Sequence, residues 1–434
     1  MELTQPVSHG RARAAAIGLI TLTVFTGTAA RYVLSPMQEL VKADLGLGDN
    51  QVALLQGMAI ALPTALMSIP VGRLVDRTNR TRLLVVLALL CGIGSLLTAL
   101  AQDFAGAFVA RMLVAIAVVA AQPATLSMVS DLTRPEQRGR MITLTSLGQA
   151  LGGTAAFMLA GVLLAWLPGL VPADSALAGL APWRLVQLAF AAAAGATMIA
   201  LLWLNEPTRQ ESAGADEDAG LGVTLRALWS YRRLLLPLGG GMVSIGMADA
   251  AAAIWAVPVL TRTFHQTPAD FGPWLGMLNL GASIVGALIG GLAADFGQRG
   301  RGHAGALLGG VIGAALSAPA ALFPVMPTVG GFAVLFGLLL TCGACVNIAA
   351  TSAIMVLLPN RLRGMCISVL VAVIGLVAFG IAPLLVSLAA RLTAQGADLN
   401  VPLATVGVIT SLAGSIAFMR AMRVAGRVYP GESQ

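Results

Sequence analysis

Arg31 in "GTAARYVL", Arg111 in "FVARMLVAIA" and Asp249 in "IGMADAAAA" are charged side chains set inside long apolar runs. A guanidinium fork grips carboxylate, sulfate or phosphate with paired donors. A carboxyl group in apolar surroundings must face water, pair with a cation or carry a proton. The chemistry these three suggest is the holding of an anion and the movement of a proton. Other reactive groups do not assemble. Cys91, Cys342, Cys345 and Cys366 all lie in or at the edge of apolar runs, which argues against a disulfide framework. Cys342 and Cys345 have CxxC spacing, but in the small-residue run "TCGACVNIAA" they read as packing rather than redox or metal chemistry. His9, His265 and His303 stand apart, and no phosphate loop, triad or metal-ligand cluster is spaced in the chain. An enzyme is not expected, nor a cofactor or metal.

The elements that carry these residues follow from composition. Of 434 residues 57% are apolar and only 10% charged, and the mean hydropathy is +0.86. That is more apolar surface than one soluble core hides, so the bilayer is the solvent. Twelve runs are long enough to cross about 30 Å of hydrocarbon. They cover about 14 to 35, 51 to 71, 83 to 101, 104 to 130, 141 to 166, 183 to 204, 234 to 260, 272 to 294, 304 to 324, 330 to 357, 366 to 390 and 401 to 422. In lipid each backbone must satisfy its own hydrogen bonds, which predicts an all-α membrane protein. The first run outlasts a signal peptide and lacks a convincing cleavage site, so it reads as a retained helix.

The formal charge of +7 could suggest nucleic acid, but the 26 Lys and Arg are spread over short loops. With both termini on the inner side, 20 of the 26 fall inside, Lys42, Arg184, Arg262 and Arg391 fall outside, and Arg31 and Arg111 lie within spans. Such asymmetry places both termini in the cytoplasm of a bacterial-type inner membrane.

The stretch 205–231, "NEPTRQESAGADEDAGLGVTLRALWSY", interrupts the hydropathy and reads as a cytoplasmic linker between bundles 1–204 and 232–434. An internal repeat supports the division. "GRLVDRTNRTR" from Gly72 aligns with "GLAADFGQRGR" from Gly291 at an offset of 219, which pairs Asp76 with Asp295 and Arg80 with Arg299. Arg138 pairs with Arg363 and Gln122 with Asn347 at an offset of 225. Six helices per half give two repeats of one orientation. At the first offset Ala30 falls on Asp249, so Arg31 and Asp249 would occupy nearly symmetric positions on one central cavity.

The pattern G x L x D R x x R x R between the second and third runs, its echo between the eighth and ninth, and the "SDLTRPEQRGRM" element after the fourth resemble the signature loops of the major facilitator superfamily of transporters. Asn79 departs from the usual Gly, a mild change because Asn also tolerates tight turns. Together with "LGDNQVALLQG" and "WRLVQLAF", these stretches look like the spinster branch, which moves lysolipids and other amphipathic anions. That branch usually has an Asp-Arg pair in the first helix and a Glu seven residues after the fourth-helix Arg. Here Ala30 precedes Arg31 and Val118 follows Arg111, so the branch's proton-carrying assignment does not transfer.

The resemblance implies two pseudo-symmetric six-helix bundles working by alternating access. Gly72, Asp76, Arg77, Arg80, Asp131, Arg138, Asp295 and Arg299 would form an inner conformational latch, with Arg77, Arg80 and Arg138 pairing with Asp131 and Glu136. The plainer alternative is that Arg80 and Arg82 only orient the chain. Arg31 and Arg111 are the candidate anion ligands. Gln56, Gln122, Asn279, Asn347 and Trp255 are candidate cavity residues, although interhelical hydrogen bonding and packing compete with that role. Asp249 is the candidate coupling group, the alternative being a permanent ion pair with an arginine. The expected function is secondary transport of a small amphipathic or organic anion, lysolipid-like in character and linked to protons. The alternatives are a multidrug or sugar efflux proton antiporter and, in another class, a transporter-like receptor or lipid scramblase. Expected partners are a small-molecule or lipid-like substrate, protons and the lipid bilayer. Nucleic acid is not expected, and a monomer is.

Overall fold

A computed structural model describes residues 6–67, 70–133, 137–172, 174–175, 177–207, 221–392 and 398–428. No strand occurs among them. Twelve helices are long and apolar enough to cross a membrane: Arg13–Asp44, Asp49–Met67, Arg80–Leu100, Phe104–Leu132, Arg140–Leu170, Pro182–Leu201, Arg232–Arg262, Pro268–Gly300, Gly302–Val325, Val329–Leu357, Leu362–Leu392 and Asn400–Arg427. They match the twelve runs expected, and the chain is an integral multi-pass membrane protein. Several edges lie farther out than hydropathy suggests. The eighth span continues to Gly300, because polar residues leave the hydrocarbon without breaking the helical hydrogen-bond ladder, and the first continues to Asp44 beyond a 3-10 turn at Ser35–Met37.

Local chemistry sets the ends. Asn79 caps the third span by accepting from the Arg82 N–H at 2.8 Å, Asp103 caps the fourth from Gly106 at 2.7 Å, and Thr328 caps the tenth from Gly331 at 3.1 Å. Within the spans, hydroxyls turn back onto the preceding turn, as Thr21 does onto the Ile17 carbonyl at 2.9 Å and Thr23 onto that of Leu19 at 2.8 Å. Such bonds satisfy a hydroxyl where water is absent. Part of the stretch read as linker is itself a helix, Leu221–Ser230. It forms because Leu228 has a core to enter, buried with Leu234, Leu358 and Leu362.

The chain forms two compact units. One comprises residues 1–47, 66–215 and 268–276, the other 48–65, 216–267 and 277–434. Most of the second span thus packs with the later helices, and the start of the eighth with the earlier ones, so the contacts do not divide at the linker alone.

In the first unit the third span packs on the fourth and sixth, and the first span on the fifth. Leu84, Leu87, Ala124, Met128 and Leu201 are buried between them. The glycine ridge of "GQALGG" sets the closeness of the first and fifth spans: a Cβ on Gly148 would strike Thr21, and one on Gly152 the Phe25 carbonyl.

In the second unit the seventh span packs on the twelfth, and the ninth on the tenth and twelfth. Gly286 and Gly290 of "GALIGG" lie against backbone carbonyls of Thr341 and Cys345. The glycines at 239–241 do not interrupt the seventh helix. Gly239 admits Leu370 and Gly241 admits the ring of Phe418, so tight packing offsets their backbone entropy. Two π-helical turns, Leu54–Met58 in the second span and Gly375–Ile381 in the eleventh, meet where Gly57 lies under the Phe379 carbonyl.

Candidate functional site

The first span is not a continuous α-helix. It runs α-helical to Tyr32, passes through a 3-10 turn at Ser35–Met37 and resumes at Gln38–Asp44. Pro36 cannot donate to the ladder, so the turn before it ends with free carbonyls. Arg111, 1% exposed on the fourth span, reaches them. Its Nη2 donates to the Arg31 carbonyl at 2.7 Å and its Nη1 to that of Ala30 at 3.4 Å. Arg111 thereby fastens the break and fixes the backbone that carries Arg31.

Arg31 itself is half-buried and lies beside the Tyr32 ring, 5.5 Å from its centroid. It lines a cavity of about 60 Å³ within the first unit, room for a small headgroup and not for a whole lipid. Thr23, Thr26 and Thr28 of the first span, Gln122 of the fourth, Gln149 of the fifth and Thr197 of the sixth supply polar groups. Val24, Leu87, Ala88 and Val118 supply an apolar wall. The Thr26 and Thr197 hydroxyls are hydrogen-bonded at 3.0 Å. Among the described lining residues Arg31 alone is charged. Its buried Nε and that of Arg111 have no hydrogen-bond partner among the described residues.

Of the residues singled out from sequence, the structure brings Arg31 and Gln122 onto this cavity and sets Arg111 behind it. Gln56, Trp255, Asn279, Asn347 and Asp249 belong to the other unit. Gln56 is buried in the π-turn of the second span. Trp255 is fully buried, and its indole N–H donates to the Pro383 carbonyl at 3.0 Å, so it ties the seventh span to the eleventh instead of forming a cavity wall. The Asn279 and Asn347 carbonyls accept from Ser283 and Thr351 one turn on, and the Asn347 residue is exposed. Asp249 lies against the tenth span at Gly343, with Oδ1 buried and without a partner among the described residues.

The inner loop is more elaborate than the sequence suggests. Arg80, 1% exposed, donates to Asp131 Oδ2, to Ser127 Oγ at 2.9 Å, to Glu206 Oε1 at 2.9 Å and to the Pro207 carbonyl at 3.0 Å. Glu206 also accepts from the Thr81 N–H at 2.7 Å, which caps the positive end of the third helix. Burial by itself would raise the Glu206 carboxyl; the Thr81 and Arg80 donors overcome this and hold it below its ordinary value. Four acceptors on one buried guanidinium go beyond an orientation signal. The surroundings of Gly72, the side chains of Asp76 and Arg138, and all of Glu136 lie outside the described residues. Arg77, Asp295 and Arg299 are exposed, and Arg299 stands 5.7 Å from the Phe296 ring centroid.

Sequence reasoning passed over several participants. Glu206 stands in "WLNEPTR", where hydropathy marks only a linker. Charge distribution alone marks Arg184 and Arg262 only as outer charges. Arg184 joins Asp44 at 2.8 Å and donates to the Ala99 and Ala101 carbonyls, while the Trp183 indole also reaches Asp44 at 3.0 Å. Arg262 at the end of the seventh span pairs with Asp49 at the start of the second, 2.7 Å apart. The threonines of the cavity had a signal in their three-residue spacing at 23 and 26.

The fold has close counterparts among solved structures. A bacterial homologue of the human lysosomal transporter Spinster, in an inward-facing and unoccupied conformation, superposes with a TM-score of 0.81 at 19% identity, covering 99% of this chain and 98% of the other. The nucleoside transporter NupG superposes at 0.70 with 12% identity, covering 95% and 98%. In sequence, an MFS-type efflux pump of Mycolicibacterium smegmatis is 25% identical over 66% of this chain and 64% of the pump. A 3-(3-hydroxy-phenyl)propionate transporter of Escherichia coli is 36% identical over 25% of this chain and 27% of its own. A triacylglyceride transporter of M. smegmatis is 28% identical over 61% and 47%. Each of these curated relatives is thus matched over less than two thirds of its length. The family described as Major Facilitator Superfamily matches residues 20–379, from the first span into the eleventh. The chain belongs to the Major Facilitator Superfamily of membrane transporters.

Proposed function

We propose that this protein is a secondary transporter that moves a small amphipathic or organic anion across the inner membrane by alternating access, with both termini in the cytoplasm and with proton linkage through Asp249. One observation carries the reading: the cavity of the first unit holds a single charge, Arg31, amid hydroxyls, amides and an apolar wall. A guanidinium there favours one anionic group, and the apolar wall favours a hydrocarbon or ring beside it. The relative that carries a phenylpropionate compound supports a carboxylate, and the one that carries triacylglycerides supports a lipid-like body. With the interior negative, one net charge is worth about 2.3 kcal/mol per 100 mV, so anion exit is favoured and uptake needs a cation. The inner cluster around Arg80 and the outer pair of Asp49 with Arg262 supply contacts suited to biasing two conformations.

The test is thermal stabilisation of the purified protein by lysophospholipids, sphingoid phosphates, aryl carboxylates, sugars and cationic drugs, with Arg31→Ala alongside. Stabilisation by anionic amphiphiles, lost in Arg31→Ala, is the expected result. Stabilisation by cations or neutral compounds alone, retained in Arg31→Ala, would replace this reading with multidrug efflux, which the efflux-pump relative favours. Proton linkage is read in proteoliposomes: a pH-dependent rate should lose that dependence in Asp249→Asn.

A further inference from the structure

We propose that the Gly343 face of the tenth span is a seat for the Asp249 side chain that accepts it only in the neutral, proton-bearing form, so that the occupied seat is a proton-loaded state of the protein. This deepens the proton-linked reading of Asp249 and rests on it.

The geometry has two parts. The first is steric. A Cβ placed on Gly343 would overlap Asp249 Oδ2, and the three atoms nearest that position are Oδ2, Cγ and Oδ1 of Asp249. A side chain larger than that of glycine would collide with the carboxyl group, whose atoms stand nearest to that position. The "TCGACVNIAA" stretch, read from sequence as helix packing, is therefore shaped at Gly343 around one acid.

The second part is electrostatic. Asp249 Oδ1 is buried with no hydrogen-bond partner among the described residues, and flanking Ala248, Ala250 and Ala251 are buried apolar residues. The charged groups on the packed elements stand toward helix ends. They are Arg232, Arg233 and Arg262 on the seventh span itself, Arg226 on the short helix before it, Arg363 and Arg391 on the eleventh, and Arg420, Arg423 and Arg427 on the twelfth. The second span contributes no charge in its π-turn. The titratable groups of the tenth span are the Cys342 and Cys345 thiols, with Cys342 next to the seat in the chain. None of these is a cation at the level of the seat. A carboxylate held there would be buried without a compensating charge, which is costly in an apolar surrounding. A neutral carboxyl avoids that cost. When the side chain leaves the seat for water, its O–H bond breaks, the proton passes to water and the carboxylate is hydrated.

The experiment uses the full-length protein purified in detergent, with Gly343→Ala, Asp249→Ala, the double variant and Asp249→Asn. Gly343→Ala should lower the melting temperature by several degrees, and the double variant should melt close to Asp249→Ala, because removing the carboxyl removes the overlap. An equal loss from Gly343→Ala in both backgrounds would overturn the seat. Seating takes up a proton, so the wild type should gain stability as pH falls from about 8 to about 5.5, a slope absent in Asp249→Asn. A slope that persists in Asp249→Asn would overturn the proton requirement. Should Gly343→Ala fail to fold alone, recovery of folded protein in the double variant is the same positive result. Loss of transport pH dependence in Asp249→Asn without steric rescue would sink the seat and leave the coupling reading standing. Steric rescue with an unchanged transport pH profile in Asp249→Asn would sink the coupling reading and, with it, the role of the seat as a proton store.

Discussion

Arg80 is buried and Asp249 half-buried with one oxygen out of reach of water, and the protein treats the two ionisable groups in opposite ways. Arg80 meets two carboxylates, a hydroxyl and a carbonyl around one guanidinium. Asp249 meets a glycine and leaves one oxygen bare. A charge whose partners are all supplied is costly to disturb and serves to fasten. A group left short of partners changes state cheaply, which suits one that must move or exchange a proton. The repeat sharpens the contrast. Arg299, equivalent to Arg80 by sequence, is exposed beside Phe296, so the two signature loops are not equal partners.

The comparison breaks most readily at Arg80. Arg80→Met leaves Asp131 and Glu206 close together without their cation and should cost about 3 kcal/mol of stability. Arg299→Ala should stay within about 0.5 kcal/mol. Thermal unfolding of the two variants side by side reads the difference, and equal losses would mean that the loops are energetically alike.

Arg111→Met comes next. It strips the donors from the broken turn of the first span and should cost about 2 kcal/mol. It should also weaken anion binding by loosening Arg31, with Arg111→Lys recovering stability in part. Unchanged binding in Arg111→Met would show that the break holds its shape unaided.

A smaller effect is expected where the start of the second span meets the end of the seventh, since Asp49 and Arg262 are each partly exposed. A double-mutant cycle with Asp49→Asn and Arg262→Gln should give a coupling of about 0.5–1 kcal/mol that shrinks in high salt. The smallest effect is confined to acid. Glu206 is held below its ordinary value of 4.5, so its contribution is complete above that pH and is lost as pH falls through the lower folded value. Stability measured below about pH 4.5 should fall less steeply in Glu206→Gln than in the wild type.

Much of this architecture is legible in the residues. The twelve spans follow from apolar length, because lipid leaves the backbone no partner but itself. The expected orientation rests on where the arginines fall, and the repeat is visible because its glycines and charges keep their spacing. Arg31 could be singled out because a charge in an apolar run must be explained. The partners of these charges were much less visible. Glu206 reaches Arg80 across 126 residues of chain. Arg111 was read as a ligand, and its place on the Ala30 and Arg31 carbonyls depends on a helix break that hydropathy does not report. Trp255 passed for a cavity wall because an aromatic ring in a span looks the same on paper whether it faces a ligand or a neighbouring helix.

Membrane class, span number and the family's signature loops therefore belong to the linear chain, since each is a local or summed property of side chains in a bilayer. Which charge finds which partner belongs to the folded state. Helices pack through small gaps at particular heights and rotations, and a one-residue change in register decides whether a glycine meets a carbonyl, as Gly57 meets that of Phe379, or a carboxyl group, as Gly343 meets Asp249. That difference in packing leaves the Arg80 guanidinium with four acceptors and one Asp249 oxygen without a partner among the described residues.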